Sequence, residues 1–121
     1  MIIISRRVNR QRRVGLPTSL AKDSGIGPER WVTVRPAEGR RGALLVKPVD
    51  APSNAHATRD PDRPRLVTRV MQVTVPKQWM DQVGLNPEEW VFLTSLGSDQ
   101  GLQMVPQAKK SGRKMEVRRE N

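Results

Sequence analysis

One stretch of this chain recurs further along it, and that recurrence limits what the chain can fold into. Residues 13–34 read RVGLPTSLAKDSGIGPERWVTV, and residues 72–93 read QVTVPKQWMDQVGLNPEEWVFL. Pro17 matches Pro76, Gly25 matches Gly84, Pro28 matches Pro87, Glu29 matches Glu88 and Trp31 matches Trp90, all at an offset of 59. The same offset joins Arg6 to Arg65, Val8 to Val67 and Arg10 to Arg69 upstream, and Gly42 to Gly101 and Val46 to Val105 downstream, with no gap required. A register held over about forty residues marks an internal duplication. Each unit is too short to bury a sufficient core alone, so the two copies are expected to share one.

Both copies parse alike. Val14 and Leu16, like Val73 and Val75, alternate with less apolar neighbours, the period-two mark of a half-buried strand. A Pro follows, expected at the first helical position, where its missing N–H is no loss. The next eight or so residues read as a short helix, with Leu20 or Trp79 on its buried face. Gly25 or Gly84 ends it, because glycine accepts the left-handed conformation common just past a helix. Gly27, Pro28 and Glu29, or Asn86, Pro87 and Glu88, supply turn chemistry. Strands follow at 31–34 and 90–93, then, past a charged Gly-rich turn, at 43–46 and 102–105. Each copy thus reads strand, short helix, strand, turn, strand.

The boundaries expected are repeat 1 at 1–48, a polar Pro-rich linker at 49–64, repeat 2 at 65–106 and a charged tail at 107–121, disordered in isolation.

Charge separates the copies. The chain carries a net charge of +10, a self-repulsion usually kept to meet a polyanion such as nucleic acid. Residues 6–47 hold eleven basic and three acidic side chains, a balance of +8, whereas 65–106 hold three and four, a balance of −1. The tail adds +4. Five of the eight residues from 6 to 13 are Arg. Arginine presents a planar fork that suits phosphate and the O6/N7 edge of guanine, while Asn and Gln suit adenine. The DNA-binding candidates are therefore Arg6, Arg7, Asn9, Arg10, Gln11, Arg12 and Arg13, with candidate phosphate contacts from Lys109, Lys110, Arg113 and Lys114 in the tail. Six to eight such contacts would cost about three to four orders of magnitude in affinity between roughly 50 and 200 mM salt.

Other classes fare worse. There is no Cys and a single His, His56, which is expected to be a linker residue, so neither a metal site nor any cofactor is expected. No paired-carboxylate, nucleophile–base or phosphate-cradling motif stands out, and no enzyme is expected. No apolar run approaches a membrane span, and the opening MIII is too short for a signal sequence, so a cytoplasmic protein is expected. With three Trp, one Phe and no Tyr, base stacking of single strands or RNA is disfavoured. Trp31 and Trp90 admit a stacking role, but a paired core contact between the copies is the reading preferred; Trp79 is likewise expected in the core.

The order of strand, Pro, short helix, Gly, Gly/Pro/Glu turn and hairpin resembles the AbrB/MazE/SpoVT family of prokaryotic DNA-binding domains. The resemblance covers about residues 2–47 and 65–106, and the tandem copies are similar to the arrangement of MraZ-type members. It implies a mainly β fold with short helices: a swapped-hairpin (AbrB-like, double-split) β-barrel in which the repeats form an intrachain pseudo-dimer. It also implies a nucleoid-associated protein with DNA contacts at Arg6 and Arg13, and with Lys22 on the short helix. Repeat 2 departs, with Gln72 and Asp81 in place of Arg13 and Lys22, and neither copy carries the Asp-x-x-Gly-Arg signature of MraZ proper. The function expected is a double-stranded DNA-binding transcriptional regulator of a prokaryote, phage or plasmid. The alternatives are an antitoxin with a toxin partner, or a sequence-tolerant architectural DNA-binding protein. A homodimer or higher homo-oligomer fits a palindromic site.

Overall fold

The computed structural model describes residues 2–51 and 61–107. The elements are β1 (Ile3–Arg7), β2 (Arg13–Gly15), α1 (Thr18–Asp23), β3 (Trp31–Pro36), β4 (Leu44–Val49), β5 (Arg65–Leu66), β6 (Gln72–Thr74), α2 (Lys77–Val83), β7 (Trp90–Ser95) and β8 (Leu102–Pro106). The fold is mainly β with two short helices, as expected. Each half has four strands rather than three, because the chain turns sharply at residues 8–12 and splits the leading basic stretch into β1 and β2.

Six strands form one antiparallel sheet in the order β1-β7-β8-β4-β3-β5, and β2 pairs with β6 in a separate two-stranded ladder. Replacing each strand by its counterpart in the other half returns the same order read backwards. The leading strands are exchanged: β1 lies on β7 of the second half, and β5 lies on β3 of the first. The helices cross over too, α1 packing against β7 and α2 against β3. The expected closed barrel is not formed. β1 and β5 are opposite edges of the large sheet, because β5 is only two residues long and the β2–β6 ladder does not join either edge by hydrogen bonds.

Apolar residues of both halves meet in one cluster: Val14, Leu16, Leu20, Val32, Val34, Leu44 and Val46 with Val73, Val75, Met80, Val91, Leu93, Leu102 and Met104, all buried. Each such side chain contributes roughly 1.5–3 kcal/mol when removed from water. Neither half has a core of its own, because its helix and leading strand are spent on the other half.

Local chemistry explains the helix ends. Pro17 and Pro76 are the residues just before the first helical turn, one place earlier than expected, with φ of −60° and −59°. The Ile26 and Leu85 N–H groups donate to the carbonyls of Ala21 and Met80 at 2.8 and 2.9 Å, and Gly25 and Gly84 donate to Lys22 and Asp81 at 3.2 Å in both. This is the Schellman arrangement, which needs positive φ at the glycine, here 84° and 74°.

Two sequence expectations fail. The gap-free offset ends in the hairpins. Val34 pairs with Val46, while its counterpart Leu93 pairs with Met104, so β4 matches β8 at an offset of 58. Gly42/Gly101 and Val46/Val105 are therefore not structural equivalents. The second hairpin is one residue shorter, and Leu45 faces Gln103 at the middle of the sheet. Nor are Trp31 and Trp90 a core pair. Trp31 is half-buried and Trp90 is 47% exposed, because each lies on the outer sheet face, opposite in phase to the buried Val32 and Val91. Trp79 does pack against the core, although its buried indole N–H has no hydrogen-bond partner.

Candidate nucleic-acid interface

The arginine-rich segment between β1 and β2 is a braced turn. The Asn9 N–H donates to the Arg13 carbonyl and the Arg12 N–H to the Asn9 carbonyl, both at 2.9 Å. Asn9 Oδ1 accepts from the N–H groups of Gln11 and Arg13, both at 2.9 Å. Arg12 adopts φ 64°, a left-handed conformation that costs a non-glycine residue roughly 1–2 kcal/mol. Contacts to the other half hold it there: its carbonyl accepts from the Val75 N–H at 2.8 Å, and its Nε donates to the Val75 carbonyl at 3.3 Å.

The second half repeats this turn with different side chains. Thr68 takes the place of Asn9, its Oγ1 accepting from the Gln72 N–H at 3.1 Å, and Met71 takes the place of Arg12 with φ 61°. The backbone is the same, but of the three arginines only the counterpart of Arg10, Arg69, remains.

The Pro–Glu turns staple the halves together. Glu29 and Glu88 follow Pro in turns closed by Arg30 N–H to Gly27 O and Glu89 N–H to Asn86 O, and both adopt positive φ, 61° and 72°. A third-position residue with positive φ after Pro is a type II pattern, usually glycine. Here the strain is retained because the Glu29 and Glu88 N–H groups donate to Val67 O and Val8 O, in the exchanged segment of the other half. Their carboxylates also reach across, Glu88 to Arg10 at 2.9 Å and Glu29 to Arg69 at 3.1 Å.

These contacts sort the candidate residues. Arg6, Arg7, Arg10, Gln11, Arg13 and Lys22 are exposed, while Arg12 and Asn9 are half-buried. Arg10 is paired with Glu88, Arg7 Nε donates to the Glu88 carbonyl at 3.1 Å, and Arg6 donates to its neighbour Ser5. Such exposed pairs are worth at most about 1 kcal/mol, and a guanidinium keeps further donors free. Among the described residues, the side chains of Gln11 and Arg13 make no hydrogen bond or ion pair. The Asn9 side-chain oxygen, the acceptor a forked adenine contact would use, already accepts two backbone hydrogen bonds inside the turn. Lys22 lies on α1, and no hydrogen bond or ion pair joins it to the arginine turn. Lys109, Lys110, Arg113, Lys114 and His56 lie outside the described residues.

Strand exchange adds residues that the charge count assigned to the neutral copy. Arg65 pairs with Val32 in β5 and thus points to the core side of the sheet edge. It is half-buried, and its pKa is lowered, first by burial and then by repulsion from Arg63 and Arg12.

Among the described residues, no group of three or more His, Cys, Asp or Glu side chains could hold a metal, and no helix is long and apolar enough to cross a membrane. The chain matches no known protein-family model, and no curated protein matches its sequence.

Proposed function

We propose that this protein is a double-stranded DNA-binding transcriptional regulator of a prokaryote, or of one of its phages or plasmids, acting in the cytoplasm. On this reading the chain is a swapped-hairpin unit of the AbrB/MazE/SpoVT kind, with two tandem repeats in the place of two subunits. The exchange of β1 and β5 between halves supports that assignment.

The observation that carries the function is the braced turn at residues 9–13. Its backbone is held from within by Asn9 and from the other half by Val75, while Gln11 and Arg13 project into solvent. A turn that is already ordered forfeits little conformational freedom when its side chains meet a groove. Arginine there provides phosphate affinity and guanine recognition together.

Fluorescence anisotropy with duplex DNA at several salt concentrations tests this. The intact chain binds with a steep negative salt dependence. Arg13→Glu weakens binding by about tenfold or more, whereas Gln72→Glu, at the matching place in the other half, changes it only a few fold. Equal losses from the two changes, or no binding by the intact chain at low salt, would refute the proposal.

A further inference from the structure

We propose that the uncovered face of the six-stranded sheet binds single-stranded nucleic acid, with Trp90 and Phe92 stacking on two bases and Arg7 and Arg40 meeting the backbone. The surface is centred on β7 and β8 rather than on the arginine turn, and it adds a second ligand to the duplex-binding reading.

Strand register places the surface. Residues directly opposed across antiparallel strands share a face, as do residues two apart along one strand. Trp90 opposes Arg7, Phe92 opposes Ser5 and Val105, and Thr94 opposes Gln103. Gln103 opposes Leu45, and Leu45 opposes Arg35, so the same face runs on along β3 to Trp31. Three of the four aromatic residues therefore lie on one side of one sheet, while the fourth, Trp79, packs against the core. Their scarcity, which argues against base stacking, is offset by this gathering. The opposite face carries Val32, Val34, Val91 and Leu93, packed in one core with Leu20 and Met80 of the helices. On the aromatic face no residue of the sheet is buried, so no described element covers it.

The chemistry of the face selects the ligand. Trp90 and Phe92 are both exposed and stand about 7 Å apart along β7. Bases of single strands stack on rings presented in this way, whereas a duplex keeps its bases stacked inside. Arg7 lies directly opposite Trp90; its Nε donates to the Glu88 carbonyl, and the guanidinium keeps further donors. Arg40 reaches in from the turn between β3 and β4, its Nη1 donating to Gln103 Oε1 at 2.9 Å. None of the six strands contains Asp or Glu. Two rings flanked by two cations, with no strand carboxylate on the face, are complementary to stacked bases and their phosphates.

The other half lacks the platform. Trp31 opposes Leu66 where Trp90 opposes Arg7, and Thr33 stands in the place of Phe92. Trp31 is half-buried, and Arg35 on the same strand is paired with Asp62 at 3.4 Å. One single-strand site per chain is expected.

Fluorescence anisotropy tests this with short labelled oligothymidylate, oligouridylate and a mixed-sequence duplex. Trp90→Ala and Phe92→Ala alter exposed side chains, and each is expected to weaken single-strand binding by about tenfold or more while leaving duplex affinity unchanged. Trp90→Phe keeps a ring and loses less than Trp90→Ala. Arg13→Glu does the reverse, weakening the duplex far more than the single strands. The oligonucleotide bound more tightly assigns DNA or RNA as the ligand. No binding of either oligonucleotide at low salt overturns the proposal, as do alanine variants that weaken single strand and duplex alike or leave both unchanged. Sedimentation of the protein alone tests another occupant: a dimer that Trp90→Ala dissociates would mean that a second copy covers the face, and the proposal falls. If the single strands bind and respond to the variants but no duplex binds, this site stands and the duplex-binding reading falls.

Discussion

The two halves share a backbone and differ in much of the charge they show to solvent. Both keep the Schellman glycine, the Pro–Glu turn with positive φ at Glu, and a left-handed residue just before the short ladder strand. The Pro–Glu turns and the left-handed residues are the features through which each half grips the other, while the glycines close each helix within its own half. The differences lie elsewhere: Arg12 against Met71, Arg13 against Gln72, Lys22 against Asp81, and hairpins that differ by one residue. The lesson is that exchange of strands constrains the crossing points and frees the outer positions. One half has become basic and the other nearly neutral without disturbing the shared core.

The hairpins provide the sharpest contrast. The Leu96 N–H donates to Gly101 O as the Ala37 N–H donates to Ala43 O, both at 2.9 Å, so Gly101 stands where the first half has Ala43. Gly101 adopts φ 94°, and a side chain there would run into the backbone of Val46 and Lys47. Gly101→Val is expected to destabilise the protein by about 4 kcal/mol or more, because neither strain nor collision can relax. Chemical denaturation measures this, and a loss under 1 kcal/mol would show that the shorter hairpin is not locked against β4.

A smaller effect separates the helices. Met80 and Ala21 occupy matching buried positions. Met80→Ala is expected to cost about 2–5 kcal/mol through the cavity it opens. It should lower the stability of the whole molecule in one transition, since α2 packs on β3 of the other half. Two separate transitions would break the picture of a single core.

The smallest effect concerns the crossing ion pairs. Arg10–Glu88 and Arg69–Glu29 are geometrically alike and largely solvent-exposed. Double-mutant cycles should give each a coupling of about 0.2–1 kcal/mol, falling with added salt. A much larger value for the first pair alone would mean that the surrounding arginines amplify it, and that Arg10 is less available to DNA than Arg13.

Much of this was legible from residue order. The duplication, the two short helices with their glycine ends, and the concentration of exposed arginine at 6–13 follow from local chemistry, and local chemistry is what a sequence records directly. The sharp turn that separates β1 from β2 was missed, because Arg12 and Met71 are poor sequence signals for a left-handed residue. The outward placement of Trp31 and Trp90 was missed for a related reason: their size suggested burial, but the phase of the strand is set by Val32 and Val91, which fill the core.

By itself the sequence determined that two like units must share one apolar centre and that positive charge gathers near one of them, since both follow from spacing and composition. Only the tertiary structure decided which half each strand joins, that the sheet stays open at β1 and β5, that Asn9 Oδ1 is used inside its own turn, and that Arg12 is held by Val75 of the other half. Those outcomes depend on contacts between residues far apart in the chain, where hydrogen-bond satisfaction and core packing are settled jointly and no local pattern records the result.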